Sequence, residues 1–321
     1  MTAKVRTVRG DIESGDLGFT HCHEHLFVLP VEGVDLPDRL IFDDYEKAKS
    51  EVDLFRREGG KTLVDLQPFG AGRHARLLHQ LSGDTGVNIV AATGFHKLFF
   101  YPEFFWSRDA SASDMTDLFV SEIKEGMYAY HRSSPFEERS SVKAGVIKIA
   151  TEKEGLTPYY TKIFEAAAWA HAETGVPVIT HTELSTFGIE QTAFLIRNGV
   201  PPEHIIISHM DRVIDLEDHL LLADLGVFLD YDTIARYKYH SDDEEVRLIK
   251  TMADRGHAGR IVFGMDSTRD RFRSYGADIG LDYIGRTFVP MLKRKGVSDG
   301  DIELMTVINP GKALSLAARR R

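Results

Sequence analysis

The chain has one cysteine, Cys22, in 321 residues. No intramolecular disulfide can form, and a reducing compartment, the cytoplasm, is the simple reading. No apolar run approaches the roughly 20 residues that span a bilayer. The opening stretch MTAKVRTVRGDIESGD has no apolar core of the secretory-signal kind. Basic charge is in deficit: the formal net charge is −10 and the pI about 5.8, which argues against nucleic acid or an anionic membrane as a partner. Low-complexity segments and Pro/Ser-rich linkers are also missing, so residues 1–321 read as a single domain. A hydrophobic content of 43% is ample for its core.

What is present is an alternation. Short β-rich runs recur at 18–25, 61–67, 87–94, 145–150, 176–182, 204–210, 226–232 and 260–266, with continuous apolar centres as in parallel strands covered on both faces. Helical stretches separate them. YEKAKSEVDLFRREGG stops on two glycines, and PYYTKIFEAAAWAHAETG is Ala-rich and ends at Gly175. Ser241 and Glu244 form a capping-box pattern ahead of Val246, Ile249 and Met252 at helical spacing. Alternating strands and helices predict a parallel sheet, and eight strands predict a closed (β/α)8 TIM barrel over a doubly wound open sheet. Two loops are long, 27–42 and the aromatic 95–112, and loops of that length are often functional.

The stretch HCHEH at 21–25 places His21, His23 and His25 two apart, the spacing that turns side chains to one face of a strand. It is not the H-E-x-x-H zinc helix, which needs histidines four apart, so Glu24 is expected to point outward as a structural residue. In a barrel, chemistry sits at the C-terminal strand ends. Those ends carry His23 and His25, His181, His209 and Asp266, with Lys148 inside the apolar run VIKIA. The scattered His74, His79, His131, His171, His204, His219, His240 and His257 read as surface or core residues. Imidazoles and carboxylates suit zinc, manganese, iron or cobalt. Six ligands exceed one catalytic zinc and suit two cations roughly 3.5–4 Å apart. A lysine in an apolar strand must be paired, neutral or modified. Reaction with CO2 would make Lys148 a carbamate whose two oxygens bridge both cations. Spacing alone does not separate the pair 21/23 from 23/25.

These residues resemble the phosphotriesterase family of the amidohydrolase superfamily. GFTHCHEHL resembles its G-x-T-x-x-H-E-H signature, and the similarity continues through TLVDLQPFGAGRHARLL, NIVAATGFH, IKIATEKEGLTP, TGVPVITHTE, ISHMDR, GMDS and VINPGKAL. The resemblance implies a (β/α)8 barrel with two divalent metal ions, zinc first, with Mn, Co or Fe as alternatives. It aligns His23, His25 and Asp266 with one metal, His181 and His209 with the second, and Lys148 with a carbamylated bridging lysine. His21 then lies one layer deeper, as a packed residue or one that supports the ligands. The implied chemistry is hydrolysis by a hydroxide between the metals, with Asp266 and Lys148 as catalytic residues and Asp266 moving the proton.

Substrate class is read from the loops. His96 and Lys97 follow the third strand, Arg236, Tyr237 and Lys238 the seventh, and Arg269, Arg271, Arg273 and Tyr275 the eighth. Arginine suits bidentate recognition of phosphate or carboxylate, and barrels often bind phosphate at loops seven and eight. The expected substrate is therefore a small anionic lactone, with His96, Lys97, Arg236, Lys238, Arg269, Arg273 and Tyr275 as binding residues and Arg269 the first choice for the anion. The loops look most like the branch of the family that opens phosphorylated sugar 1,4-lactones. A phosphotriesterase or acyl-homoserine lactonase is the alternative, and a binding protein without turnover a remote one. The resemblance also implies a homodimer, and the aromatic stretch 98–106 is expected either at that surface or in the pocket.

Overall fold

A computed structural model describes residues 3–128 and 138–318; His131 lies outside them. The chain starts with a hairpin, β1 (Lys4–Thr7) against β2 (Gly10–Glu13). Eight parallel strands follow: β3 (Phe19–Glu24), β4 (Gly60–Asp65), β5 (Asn88–Gly94), β6 (Val146–Ala150), β7 (Val178–His181), β8 (Ile205–Ser208), β9 (Phe228–Tyr231) and β10 (Ile261–Phe263). Each pairs with its neighbour in sequence. The last meets the first where the Met265 and Asp266 amides both donate to the His23 carbonyl, at 3.1 and 3.0 Å. The architecture is the expected (β/α)8 TIM barrel, and every expected strand has its counterpart.

Helices cover the sheet: α1 (Tyr45–Arg57), α2 (Ala75–Thr85), α3 (Ala112–Lys124), α4 (Pro158–Thr174), α5 (Gly188–Arg197), α6 (Leu216–Leu225) and α7 (Asp242–Asp254). Residues 284–294 and 299–313 are also helical. Local signals explain the ends. Thr157 caps α4, with Pro158 in its first turn, and Gly175 ends it at φ +76°, a conformation that costs glycine little. Ser241 and Glu244 form the expected capping box of α7.

Alternation along the strands builds two cores. Outward residues such as Leu63, Ile147, Ile207 and Phe263 join the helices. Inward residues Cys22, Val64, Val90, Val146, Ile179, Ile206, Phe228 and Val262 fill the barrel. Val5 of the hairpin, Leu17, Ala313 and Leu314 belong to the same cluster as these interior residues. The hairpin has no counterpart in the sequence reading, because four-residue strands of mixed polarity carry too little periodic signal.

Candidate metal centre

Two residues further along several strands, the barrel interior changes character. Val146 is followed by Lys148, Ile179 by His181, Ile206 by Ser208, and Phe228 by Asp230, all buried. The side chains that reach the end of the barrel are aimed by backbone irregularities. A register shift in β3 between His21 and Glu24 breaks strict alternation. His23 and His25 consequently join the interior cluster. His21 faces the other way, its ring centroid 4.6 Å from that of Phe55 in α1. This corrects its expected place one layer deeper in the barrel. Its Nδ1 is 2.8 Å from Glu24 Oε1, which also accepts the Met265 amide at 3.1 Å, so Glu24 is structural. His209 and Asp266 take positive φ, +65° and +42°, the kind of strain that clusters at functional sites. Gly94, at φ +99°, lets β5 run against Lys148, whose carbonyl would lie 1.9 Å from an added Cβ.

Six of the expected residues come together. His25 Nε2 and His23 Nε2 lie 3.3 and 3.7 Å from Asp266 Oδ1. His181 Nδ1 and His209 Nε2 lie 2.7 Å apart. The His23 and His209 ring centroids are 4.8 Å apart, so the two groups adjoin. Lys148 Nζ is fully buried and has no hydrogen-bond partner among the described residues. A buried amine without a partner is costly as a cation. Burial pushes Lys148 down to about 8, although Asp232, Asp266 and Asp230 pull the other way. Burial first, and then positive neighbours, hold His23, His181 and His209 well below the ordinary histidine range. Neutral imidazoles are the form that ligates metal. Burial would raise Asp266, but Arg236, His25 and the neighbouring histidines hold it well below the usual carboxylate range. Neutral nitrogens, an ionised carboxylate and an orphaned buried amine together fit a site for divalent cations.

The sequence reading missed the residues that orient this set. Asp232 reaches two histidines at once: its Oδ1 is 2.6 Å from His209 Nδ1 and its Oδ2 2.9 Å from His23 Nδ1. Both rings therefore turn their Nε2 atoms inward, the usual work of a carboxylate behind a metal-binding histidine. Asp232, pushed up to about 7 by burial and by Asp266, and Asp230, raised by burial and by Asp232, lie in F-L-D-Y-D. The two-residue spacing used for HCHEH would have found both. Arg212 and Arg236 donate to Asp266 Oδ2 at 3.0 and 2.6 Å.

A cavity of about 470 Å³ opens over these groups. Of the expected binding residues, His96, Lys97, Arg236 and Lys238 line it. Arg269, Arg273 and Tyr275 do not, which corrects the first choice for the anion. Arg269 lies over the Tyr275 ring, 4.7 Å from its centroid, and Arg273 pairs with Asp282 at 2.6 Å. Arg271 reaches the lining but donates to the carbonyls of Met265 and Ile234. Arg39, from the long loop after β3, lines the cavity and was not foreseen. The aromatic stretch divides. Phe99 and Phe100 line the cavity, Tyr101 is buried beside Phe95 and Phe105, and Phe104 is 78% exposed.

A sequence model of the phosphotriesterase family matches residues 3–314. A phospho-furanose lactonase of Mycoplasmopsis agalactiae is 34% identical, over 97% of this chain and 91% of that one. The crystal structure of an amidohydrolase from Mycoplasma synoviae superposes with a TM-score of 0.95 at 31% identity, covering 100% of this chain and 94% of that one. The phosphotriesterase homology protein of Escherichia coli, solved with phosphate in its active site, gives a TM-score of 0.83 at 30% identity, covering 93% and 99%.

Proposed function

This chain belongs to the phosphotriesterase family and is an ester-hydrolysing enzyme; on that premise we propose that it is a lactonase opening small anionic lactones, phosphorylated sugar 1,4-lactones first. The observation that carries the hydrolytic part is the convergence of His23, His25, His181, His209 and Asp266 beside Lys148, whose amine has no hydrogen-bond partner among the described residues. We assign one cation to His23, His25 and Asp266, a second to His181 and His209, and Lys148 to both as a carbamate. Zinc is the first choice of metal. The cations, when bound, would activate water and polarise the lactone carbonyl.

The chain's own groups do the rest. Lys148, neutral above about 8, can in that form add its nitrogen lone pair to the carbon of CO2 and lose a proton, which turns an orphaned buried amine into an anionic carbamate. Arg212 and Arg236 hold Asp266 through Oδ2 and leave Oδ1 turned to His23 and His25. Asp266 is thereby placed to take the proton from the attacking water and return it to the departing alkoxide.

The anionic part rests on the lining. Lys97 pairs with Glu183, and Arg212 and Arg236 with Asp266. Arg39 and Lys238 line the cavity with no carboxylate partner among the described residues. They are the groups we assign to a remote phosphate, and the lactonase name of the Mycoplasmopsis agalactiae relative supports that choice. The setting, on the same reading, is a cytoplasmic homodimer acting on a small molecule.

Ring opening releases acid and is followed with a pH indicator on metal-replete enzyme. Sugar 1,4-lactones with and without a 5-phosphate are compared beside a neutral acyl-homoserine lactone. A strong preference for the phosphorylated lactone is expected. Equal or better turnover of the neutral lactone would remove the anion assignment and favour the acyl-homoserine alternative.

A further inference from the structure

We infer that Glu183 is a positioning residue for the metal centre, fixing through a Lys97–Glu183–His181 chain which nitrogen of His181 faces His209. The inference rests on the metal assignment made above. A histidine can bind a cation through either ring nitrogen, and the hydrogen bond at the other nitrogen decides which. His181 Nε2 lies 3.0 Å from Glu183 Oε1, and Nδ1 lies 2.7 Å from His209 Nε2. Glu183 Oε1, which accepts from the Lys97 ammonium, is placed to accept from His181 Nε2 as well; Nε2 then carries the proton, and Nδ1 keeps its lone pair toward His209. The same Oε1 atom pairs with Lys97 from the loop after β5, so the carboxylate is also held by a second strand-end loop.

The loop that carries Glu183 is built to keep it there. Leu184, Ser185 and Phe187 all have positive φ, +48°, +60° and +62°. Non-glycine residues hold such values only where surrounding contacts impose them. Here the Ser185 hydroxyl lies 3.0 Å from the His209 carbonyl and 2.8 Å from that of Met210, and it accepts the Val213 amide at 3.2 Å. The Phe187 ring packs on Gly155, where an added Cβ would come within 2.7 Å of it. The loop is thus tied to the backbone of His209, the other histidine of the same pair. Glu183 follows His181 by two residues and lines the cavity beside it.

The test compares the full-length protein with Glu183→Ala and Glu183→Gln. Zinc affinity is measured by competition with a chromogenic chelator, and bound zinc by elemental analysis. Glu183→Ala should weaken one of two zinc ions by about ten- to a hundredfold and leave the other unchanged. Glu183→Gln, whose amide oxygen accepts the same N–H, should recover most of that loss. Nitrogen NMR of the metal-free proteins should show His181 protonated at Nε2 in the wild type and in Glu183→Gln, and as a tautomer mixture in Glu183→Ala. Equal melting temperatures of the three metal-free proteins separate positioning from unfolding. Two zinc ions held by Glu183→Ala with wild-type affinity, or Glu183→Gln as weak as Glu183→Ala, would overturn this inference alone. A wild type that binds no zinc would overturn the metal centre and this inference with it.

Discussion

The lower and upper layers of the barrel interior are built from the same strands and obey opposite rules. In the lower layer Val64, Val90, Val146, Ile179, Ile206, Phe228 and Val262 meet apolar neighbours and need nothing beyond packing. One pleat higher, Lys148, His181, Ser208 and Asp230 are equally buried but polar. Most are made tolerable by one another: Asp232 joins His23 and His209, and Asp266 joins two arginines, whereas Lys148 Nζ has no hydrogen-bond partner among the described residues. A two-residue step therefore separates a layer that stabilises the fold from a layer that stabilisation alone would not retain.

Substitutions in the two layers should separate activity from stability. The largest effect is expected at Lys148. Lys148→Met should lower lactone turnover by at least about a thousandfold, because it removes the group assigned to hold both cations. Compared in the metal-free proteins, its melting temperature should stay level or rise, because a buried amine gives way to an apolar side chain of similar length. A fall in stability with turnover retained would reverse the assignment of the layers. Ile206→Ala in the lower layer should do the opposite, costing about 2–5 kcal/mol in denaturant unfolding while specific activity of the folded fraction is kept. At the mouth the contrast is smaller. Lys238→Met should raise KM for a phosphorylated lactone about tenfold and leave a neutral lactone unchanged. Arg269→Ala, outside the cavity, should change stability by less than about 0.5 kcal/mol and leave KM unaltered. An equal rise in KM in both variants would show that the anion is met elsewhere.

Much of this was legible in the sequence because parallel strands covered on both faces appear as continuous apolar runs, and polar residues at their ends stand out. Lys148 within VIKIA is the clearest case. Two kinds of feature were hidden. Backbone irregularity defeats a spacing argument: the register shift in β3 turns His23 and His25 inward while His21 faces the helices, and positive φ at His209 and Asp266 belongs to no period. Loop conformation defeats a composition argument. Arg269 and Arg273 follow Asp266 within a few residues yet turn to Tyr275 and Asp282, whereas Arg39, far away in sequence, reaches the cavity. Glu183, Asp230 and Asp232 were different. Their spacing from neighbouring inward residues was available and was not carried far enough along the chain.

The measurement that bears most directly on the central claim is native mass spectrometry of the full-length protein, combined with elemental analysis and with lactonase assay before and after chelation. The account predicts two divalent ions per chain and one CO2 adduct, both lost on chelation in CO2-free buffer together with activity. All three should return when zinc and bicarbonate are added back. Full lactone turnover by a chain with neither metal nor adduct would contradict it.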